Sequence, residues 1–239
     1  CKPTVKPGDV VKTGQVIGEG EGFVTSTVHA SISGKVKNIG KFPSPIGTKA
    51  TMVHIESDGN DEAVTEWDAE DWTELSIEEM KNRIAAAGIV GMGGAAFPTN
   101  VKLSPPEDKP IDTFIINGCE CEPYLTADHR MMLENSAELL EGIRIIMKIL
   151  DVKETIIGIE ENKPDAIDFL QNKTKNDSNI SVQALKTKYP QGAEKNLIEA
   201  VLNREVPAGG LPMDVGVVVN NVGTAIAVSQ AVKMKKPLI

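Results

Sequence analysis

The sequence has few of the residues that crosslink a chain or bind structural metals. Its 239 residues include only three cysteines, Cys1, Cys119 and Cys121, and no CxxC pair. Cysteines at this spacing form neither a disulfide framework nor a zinc site. His29 and His54 have no further ligands near them in the chain, so we predict no metal site. This cysteine usage predicts a reduced, cytoplasmic setting.

The chain also lacks an excess of positive charge and any long apolar run. Its net charge is −9 and its basic residues are scattered, which argues against a nucleic-acid surface. The apolar run at 143–150 is interrupted by Arg144 and Lys148, so we predict no direct membrane span. No initiating methionine or signal-peptide pattern is present, which predicts a piece of a longer protein.

The N-terminal part consists of short β-prone runs separated by turn signals, and we predict an all-β domain over residues 1–57. Its phrases at 5–15 (VKPGDVVKTGQ) and 28–36 (VHASISGKV) resemble the barrel-sandwich hybrid of biotinyl and lipoyl domains. The stretch at 20–25 stands where such domains carry a modified lysine, and it contains none. We therefore expect the scaffold without a carrier arm. An acidic linker is predicted over 58–75, and a second domain over 76–239.

The second domain opens on a capping box at Ser76 and Glu79, which predicts a helix through Ala87. A glycine-rich loop, GMGGAAFPTNVK, follows at 91–102. Glycine lets the main chain approach a phosphate or a flat ring, because no Cβ stands between them. The run from Asp112 to Ile116 then predicts a buried strand that ends in polar residues. We interpret this region as a nucleotide-cofactor site.

Helices and strands are predicted to alternate from there on. We expect one long helix at 128–150, strands at 154–159, 180–185 and 215–220, helices at 164–170 and 192–202, and a last helix from near Gly223. This alternation predicts a Rossmann-like α/β fold with a parallel sheet and helices on both faces. The carboxyl ends of three strands, at 117–122, 188–194 and 220–224, would then meet at one edge.

Plain alternatives remain open for each of these residues. The glycine loop could be an ordinary turn, and Lys102 a surface residue. Glu120 and Glu122 could be solvated carboxylates or a general acid and base. Cys119 and Cys121 are better explained as small pocket or core residues than as nucleophiles, since no nearby histidine is placed to activate them.

Several motifs in order resemble one family. GMGGAAFPTNVK at 91–102, NGCECEP at 117–123 and VNNV at 219–222 are similar to the FMN- and NADH-binding domain of the complex I flavoprotein subunit. PMDVGV at 212–217, YPQGAEK at 189–195 and the N-terminal barrel resemble more closely the RnfC family, the C subunits of the Rnf ion-translocating ferredoxin:NAD oxidoreductases. The resemblance covers nearly the whole chain.

The resemblance implies a set of ligand-binding residues and no catalytic side chain. FMN would be held by Gly91, Gly93, Gly94, Lys102, Asn117, Gly192, Asn220, Asn221 and Thr224. Phe97, Glu120 and Glu122 would border the NADH, with Phe97 a stacking surface for its adenine. The family's iron–sulfur clusters are bound by cysteines C-terminal to this region, so none is expected on this chain.

The implied function is an electron-transfer flavoprotein subunit of an ion-translocating complex. It would exchange hydride between NAD(H) and FMN, and pass electrons to iron–sulfur clusters outside this chain and indirectly to or from ferredoxin. Its partners would be the other proteins of the complex. It would lie at the cytoplasmic face of the membrane as a peripheral protein. The alternatives are a docking module with weak or no cofactor binding, and a carrier-like or polysaccharide-binding module.

Overall fold

A computed structural model describes residues 1–44, 47–65 and 67–239. Residues 45, 46 and 66, which belong to the predicted barrel and the predicted linker, lie outside the described residues. Within the described ranges, no helix combines the length and the apolar character needed to cross a bilayer.

The N-terminal part folds into two small antiparallel sheets. The first sheet has the order β1-β3-β4 and the second the order β2-β5-β6. Their strands are β1 (Lys2–Pro3), β2 (Val10–Val11), β3 (Val16–Glu19), β4 (Val28–His29), β5 (Gly34–Pro43) and β6 (Lys49–Ser57). A small core is buried between them: Val11, Ile17, Ala30 and Val36. The expected all-β barrel-sandwich scaffold is confirmed.

Polar contacts join the acidic segment after the barrel to the helices that follow. Glu70 pairs with Arg83 at 2.7 Å and with Lys235 at 2.5 Å. The indole nitrogen of Trp72 donates to Glu141 at 3.1 Å. Helix α1 (Ile77–Ala86) then begins at the predicted capping box, in which Ser76 accepts from the amide of Glu79.

The C-terminal part contains a parallel sheet of four strands in the order β10-β7-β8-β9. These strands are β7 (Thr113–Gly118), β8 (Glu154–Glu160), β9 (Ile180–Leu185) and β10 (Val217–Asn221). The strands β7, β8 and β10 are mostly buried and apolar because both faces of the sheet are covered there, whereas β9 is partly exposed. Since β7 pairs with β8 on one side and with β10 on the other, the strand order reverses between β7 and β10, where α/β folds bind ligands.

Helices cover both faces of this sheet, as predicted. The helices after α1 are α2 (Thr99–Lys102), α3 (Ala127–Glu134), α4 (Ser136–Leu150), α5 (Pro164–Thr174), α6 (Glu194–Leu202) and α7 (Val222–Met234), with a 3₁₀ turn at Pro212–Val215. Phe114 and Val218 pack with α4 and α7 in the larger core. Ile115 and Val219 face the opposite way and pack against α6.

The single long helix predicted at 128–150 is wrong. The structure has two helices, α3 and α4, separated at Asn135, whose backbone (φ −115°, ψ 30°) is not helical. The apolar spacing runs through both helices because each packs on the same core. The polar pair Asn135-Ser136 at the break is the local signal, since such residues favour helix ends.

Candidate functional site

The glycine loop is a closed turn that leads into α2. The amide of Gly91 donates to the carbonyl of Phe97 at 2.9 Å, and the amide of Thr99 donates to that of Ile89 at 2.9 Å. Gly93 has a left-handed backbone (φ +70°), a conformation that favours glycine. A Cβ on Gly94 would meet no atom of the described residues within 4 Å, so the loop leaves open space there.

The carboxyl ends of β7 and β10 carry two asparagines side by side. Asn117 and Asn221 are register partners at the end of the parallel pair. The side chain of Asn221 caps α7 by accepting from Gly223 at 2.8 Å, and its amide nitrogen donates to Asp128 at 2.6 Å. Both contacts fix the side chain of Asn221 at the edge of the sheet.

The turn before α6 reaches the same edge. Asn117 donates to the carbonyl of Gly192 at 2.7 Å, and the amide of Gly192 lies 3.3 Å from the sulfur of Cys121. A Cβ on Gly192 would lie 3.3 Å from the Asn117 side-chain oxygen and 3.4 Å from the Cβ of Cys119. A side chain at position 192 would therefore crowd this junction, which favours glycine there.

These elements enclose one cavity of about 730 Å³. Nine of the twelve predicted binding residues line it: Gly91, Gly93, Gly94, Phe97, Lys102, Asn117, Gly192, Asn220 and Asn221. Asn220 is only 3% exposed, and its side-chain nitrogen has no hydrogen-bond partner among the described residues. A buried donor without a partner at a cavity wall is a place for a ligand acceptor.

Thr224 does not line the cavity. It is fully buried, and its hydroxyl accepts from the amide of Met92 at 3.0 Å. Thr224 lies behind the glycine loop and holds it against the start of α7, and its direct contact with the cofactor stays a prediction.

Glu120 and Glu122 also lie away from the main cavity. They line a second cavity of about 420 Å³ together with Lys163. The carboxylate of Glu120 accepts from the amides of Asp128 and His129 at 2.8 and 3.1 Å, so it caps α3. The backbone of Glu120 is left-handed (φ 45°), which a sequence pattern based on an extended segment does not anticipate.

Two charged residues at the cavity mouth neutralise each other. The ammonium of Lys102 lies 2.6 Å from the carboxylate of Glu194, and both residues line the cavity. Sequence reasoning selected Lys102 and overlooked Glu194, whose only signal was its place in the first turn of a helix at a strand end. A phosphate at this position would compete with Glu194 for the ammonium.

Burial raises the pKa of two titratable groups beside the site. Burial raises the pKa of the Asp128 carboxyl to about 6, and the charge of Glu120 adds to this increase. The hydrogen bond from Asn221 and the charge of Lys163 lower the pKa and so oppose the increase. Burial, followed by the charge of Glu160, raises the pKa of the Cys119 thiol to about 12. Cys119 is thus a protonated core residue at neutral pH, which agrees with its predicted role.

Comparison with known proteins gives two family matches. Residues 84–230 match the family described as Nuo51 FMN-binding domain. Residues 1–60 match the family described as RnfC Barrel sandwich hybrid domain. The first match covers more than half of the chain and includes the whole parallel sheet.

The most similar relatives include members of redox complexes. The chain is 54% identical over 238 residues to the C subunit of the proton-translocating ferredoxin:NAD(+) oxidoreductase complex of Clostridium ljungdahlii, covering 99% of this chain and 52% of that protein. It is 47% identical to the C subunit of the Na(+)-translocating ferredoxin:NAD(+) oxidoreductase complex of Acetobacterium woodii. This match covers 100% of this chain and 54% of that protein. The chain thus spans about half the length of these relatives.

A solved structure with the same fold is an NAD+-reducing [NiFe]-hydrogenase in the H2-reduced state. The TM-score is 0.60 at 22% identity, over 69% of this chain and 33% of that one. At this identity the likeness concerns the fold alone.

Proposed function

We propose, from the premise that this chain belongs to the Nuo51 FMN-binding domain family, that its 730 Å³ cavity holds FMN and that NAD(H) reacts there. The observation that carries the proposal is the convergence of the glycine loop, the asparagine pair and the Gly192 turn on one cavity beside an unpaired buried donor. Because the chain spans about half of its relatives, the activity of the whole protein is part of the proposal.

The residues of the cavity fit the parts of FMN. Gly93 and Gly94 offer main chain without side chains to a phosphate or ring, and Lys102 offers a positive charge at the mouth. Asn220 offers an unpaired amide nitrogen to a ring carbonyl or nitrogen. When bound, FMN supplies a ring that accepts hydride from a nicotinamide and releases electrons singly.

The protein contributes orientation and exclusion of water. Asn117 is held by the carbonyl of Gly192 and Asn221 by Asp128, so both amides are oriented before a ligand arrives. Val217 and Val219 form an apolar part of the wall. A dry wall with a few fixed polar groups is the usual construction of a cofactor site.

The wider role is proposed from the relatives. Both are named as members of ion-translocating oxidoreductase complexes, so we propose that this chain works in such a complex at the cytoplasmic face of a membrane. Iron–sulfur clusters outside this chain would carry electrons onward, indirectly to or from ferredoxin. Contact of Phe97, Glu120 and Glu122 with NADH stays a prediction.

The experiment compares FMN with riboflavin, which lacks the phosphate. Equilibrium titration followed by flavin fluorescence should show FMN binding to the wild-type chain. Lys102→Ala should weaken the binding of FMN about tenfold and leave the binding of riboflavin nearly unchanged. The reason is that a charge-assisted hydrogen bond to phosphate is worth about 1.5 kcal/mol or more.

Lys233→Ala is a matched control. Lys233 also forms a 2.6 Å ion pair, with Glu141, and its side chain is 27% exposed against 24% for Lys102. It lies near the far end of α7, eleven residues beyond the start of that helix and therefore about 16 Å from the site. If the wild-type chain does not bind FMN, the proposal fails and the docking module remains; if Lys102→Ala weakens both flavins equally, Lys102 does not bind the phosphate.

A further inference from the structure

The barrel contributes an aromatic side chain to the proposed cofactor cavity. Phe23 lines the cavity, whose other lining residues come from position 91 onward. It stands at the hairpin between β3 and β4 and is 69% exposed. Exposure of a phenylalanine to this extent leaves its ring free to contact another molecule.

The position of this hairpin is set by contacts with the other part of the chain. The hydroxyl of Thr27, at the base of the hairpin, donates to the carbonyl of Ala86 at 3.0 Å. A Cβ on Gly88 would lie 2.5 Å from the carbonyl oxygen of Thr27, so the two backbones touch just before the glycine loop. The hairpin is therefore anchored to the segment that begins the site.

The hairpin itself is tightly closed. A Cβ on Gly20 would fall 1.5 Å from the hydroxyl of Thr25, which leaves room only for glycine. Gly22 has φ +93° and makes the turn. This eight-residue connection between β3 and β4 places Phe23 at the cavity.

A second exposed ring lies on the same cavity. Phe97, in the glycine loop, is 44% exposed, whereas Asn220 and Val217 deeper in the wall are 3% and 0% exposed. The two phenylalanines thus lie at the mouth, where a ligand that enters and leaves would pass, and the buried groups lie where a resident cofactor would be held. Stacking on aromatic rings is the general way in which proteins hold a base.

We propose that Phe23 stacks on a ring of the exchangeable nicotinamide dinucleotide, so that the barrel forms one wall of the substrate site. The proposal rests on the function proposed above. It makes the barrel part of substrate binding, in addition to any role in assembly.

The test measures NAD+ affinity of the full chain loaded with oxidised FMN, by calorimetry. Phe23→Ala should raise the dissociation constant for NAD+ about tenfold, the range found when a ring that stacks on a base is removed. Phe23→Tyr, which keeps a ring, should restore affinity to within about twofold of wild type. FMN affinity and the melting temperature should not change, because Phe23 is exposed and lies at the mouth.

Val24→Ala is the matched control, since Val24 is 60% exposed in the same hairpin and does not line the cavity. The inference is overturned if Phe23→Ala and Val24→Ala both leave NAD+ affinity unchanged, which would favour a protein partner for the hairpin. It is also overturned if Phe23→Ala weakens FMN binding as much as NAD+ binding. Failure of the wild type to bind FMN, or of the FMN-loaded wild type to bind NAD+, would instead refute the proposed function.

Discussion

Replacing Asp128 by asparagine should stabilise the protein at neutral pH. Asp128 is a largely buried carboxyl whose pKa is raised to about 6, mainly by burial. Asn221 opposes this increase through its hydrogen bond, Glu120 adds to it, and Lys163 opposes it. An asparagine can still accept the 2.6 Å hydrogen bond from Asn221 through its side-chain oxygen, and it carries no charge to desolvate.

The direction of the pH dependence follows from proton binding. Between the ordinary pKa of 3.8 and about 6, the folded state keeps a proton on Asp128 that the unfolded state has lost, so the free energy of unfolding falls as pH rises. The full increase in pKa, from 3.8 to about 6, corresponds to about 3 kcal/mol of the free energy of unfolding. Because Asp128 keeps partial contact with solvent, which screens the effect, we expect about 1 to 2 kcal/mol, lost by pH 7.

Urea denaturation at pH 4.5 and pH 7 measures this. The stability of Asp128→Asn relative to wild type should increase by about 1 kcal/mol or more between the two pH values. Asp165→Asn is the control, since the hydrogen bond from His129 lowers the pKa of Asp165 and its removal should not stabilise the protein at pH 7. If Asp128→Asn destabilises the protein equally at both pH values, then Asn221 and Lys163 outweigh the cost of burial, and our reasoning is wrong.

Four further substitutions test the packing, the cap of α1 and the glycine loop. Gly142→Ala should destabilise the protein by about 3 kcal/mol or more in urea denaturation, because the new Cβ would lie 1.9 Å from the carbonyl oxygen of Ala225 between α4 and α7. Ser76→Ala should lower the unfolding free energy by about 1 kcal/mol, because it removes the capping box of α1. Gly93→Ala should lower the unfolding free energy by about 1 kcal/mol, because position 93 has a positive φ, and it should weaken FMN binding. Gly94→Ala should weaken FMN binding in titrations without changing the unfolding free energy. Unchanged FMN affinity in both loop variants would exclude the loop from the site.

The parallel sheet was predictable because burial on both faces leaves a plain signal. The segments 156–159 and 217–219 are wholly apolar, and a helix follows each of the strands that contain them. The break between α3 and α4 was missed because the apolar spacing continues through it. Periodicity reports which face a helix buries, and Asn135 interrupts the backbone without changing that face.

Residues at and near the site make contacts that their spacing in the sequence cannot show. Phe23 reaches the cavity through docking of the barrel hairpin near Gly88, a contact between segments far apart in sequence. Glu120 turns toward α3 because its backbone is left-handed, and its carboxylate satisfies helix amides. The resemblance assigned Thr224 to the cofactor, and in the structure its hydroxyl accepts a hydrogen bond from the amide of Met92. Each outcome depends on a specific hydrogen bond that the spacing of residues in the sequence does not show.

The site is specified by the register of one strand pair as much as by the residues themselves. Val218 lies opposite Phe114 and Val219 opposite Ile115, and each pair shares one of the two cores. A slip of one residue would move each valine to the other face of the sheet, so both cores oppose it. The same register places Asn221 beside Asn117. The apolar packing on the two faces therefore fixes the polar edge at which we place the cofactor.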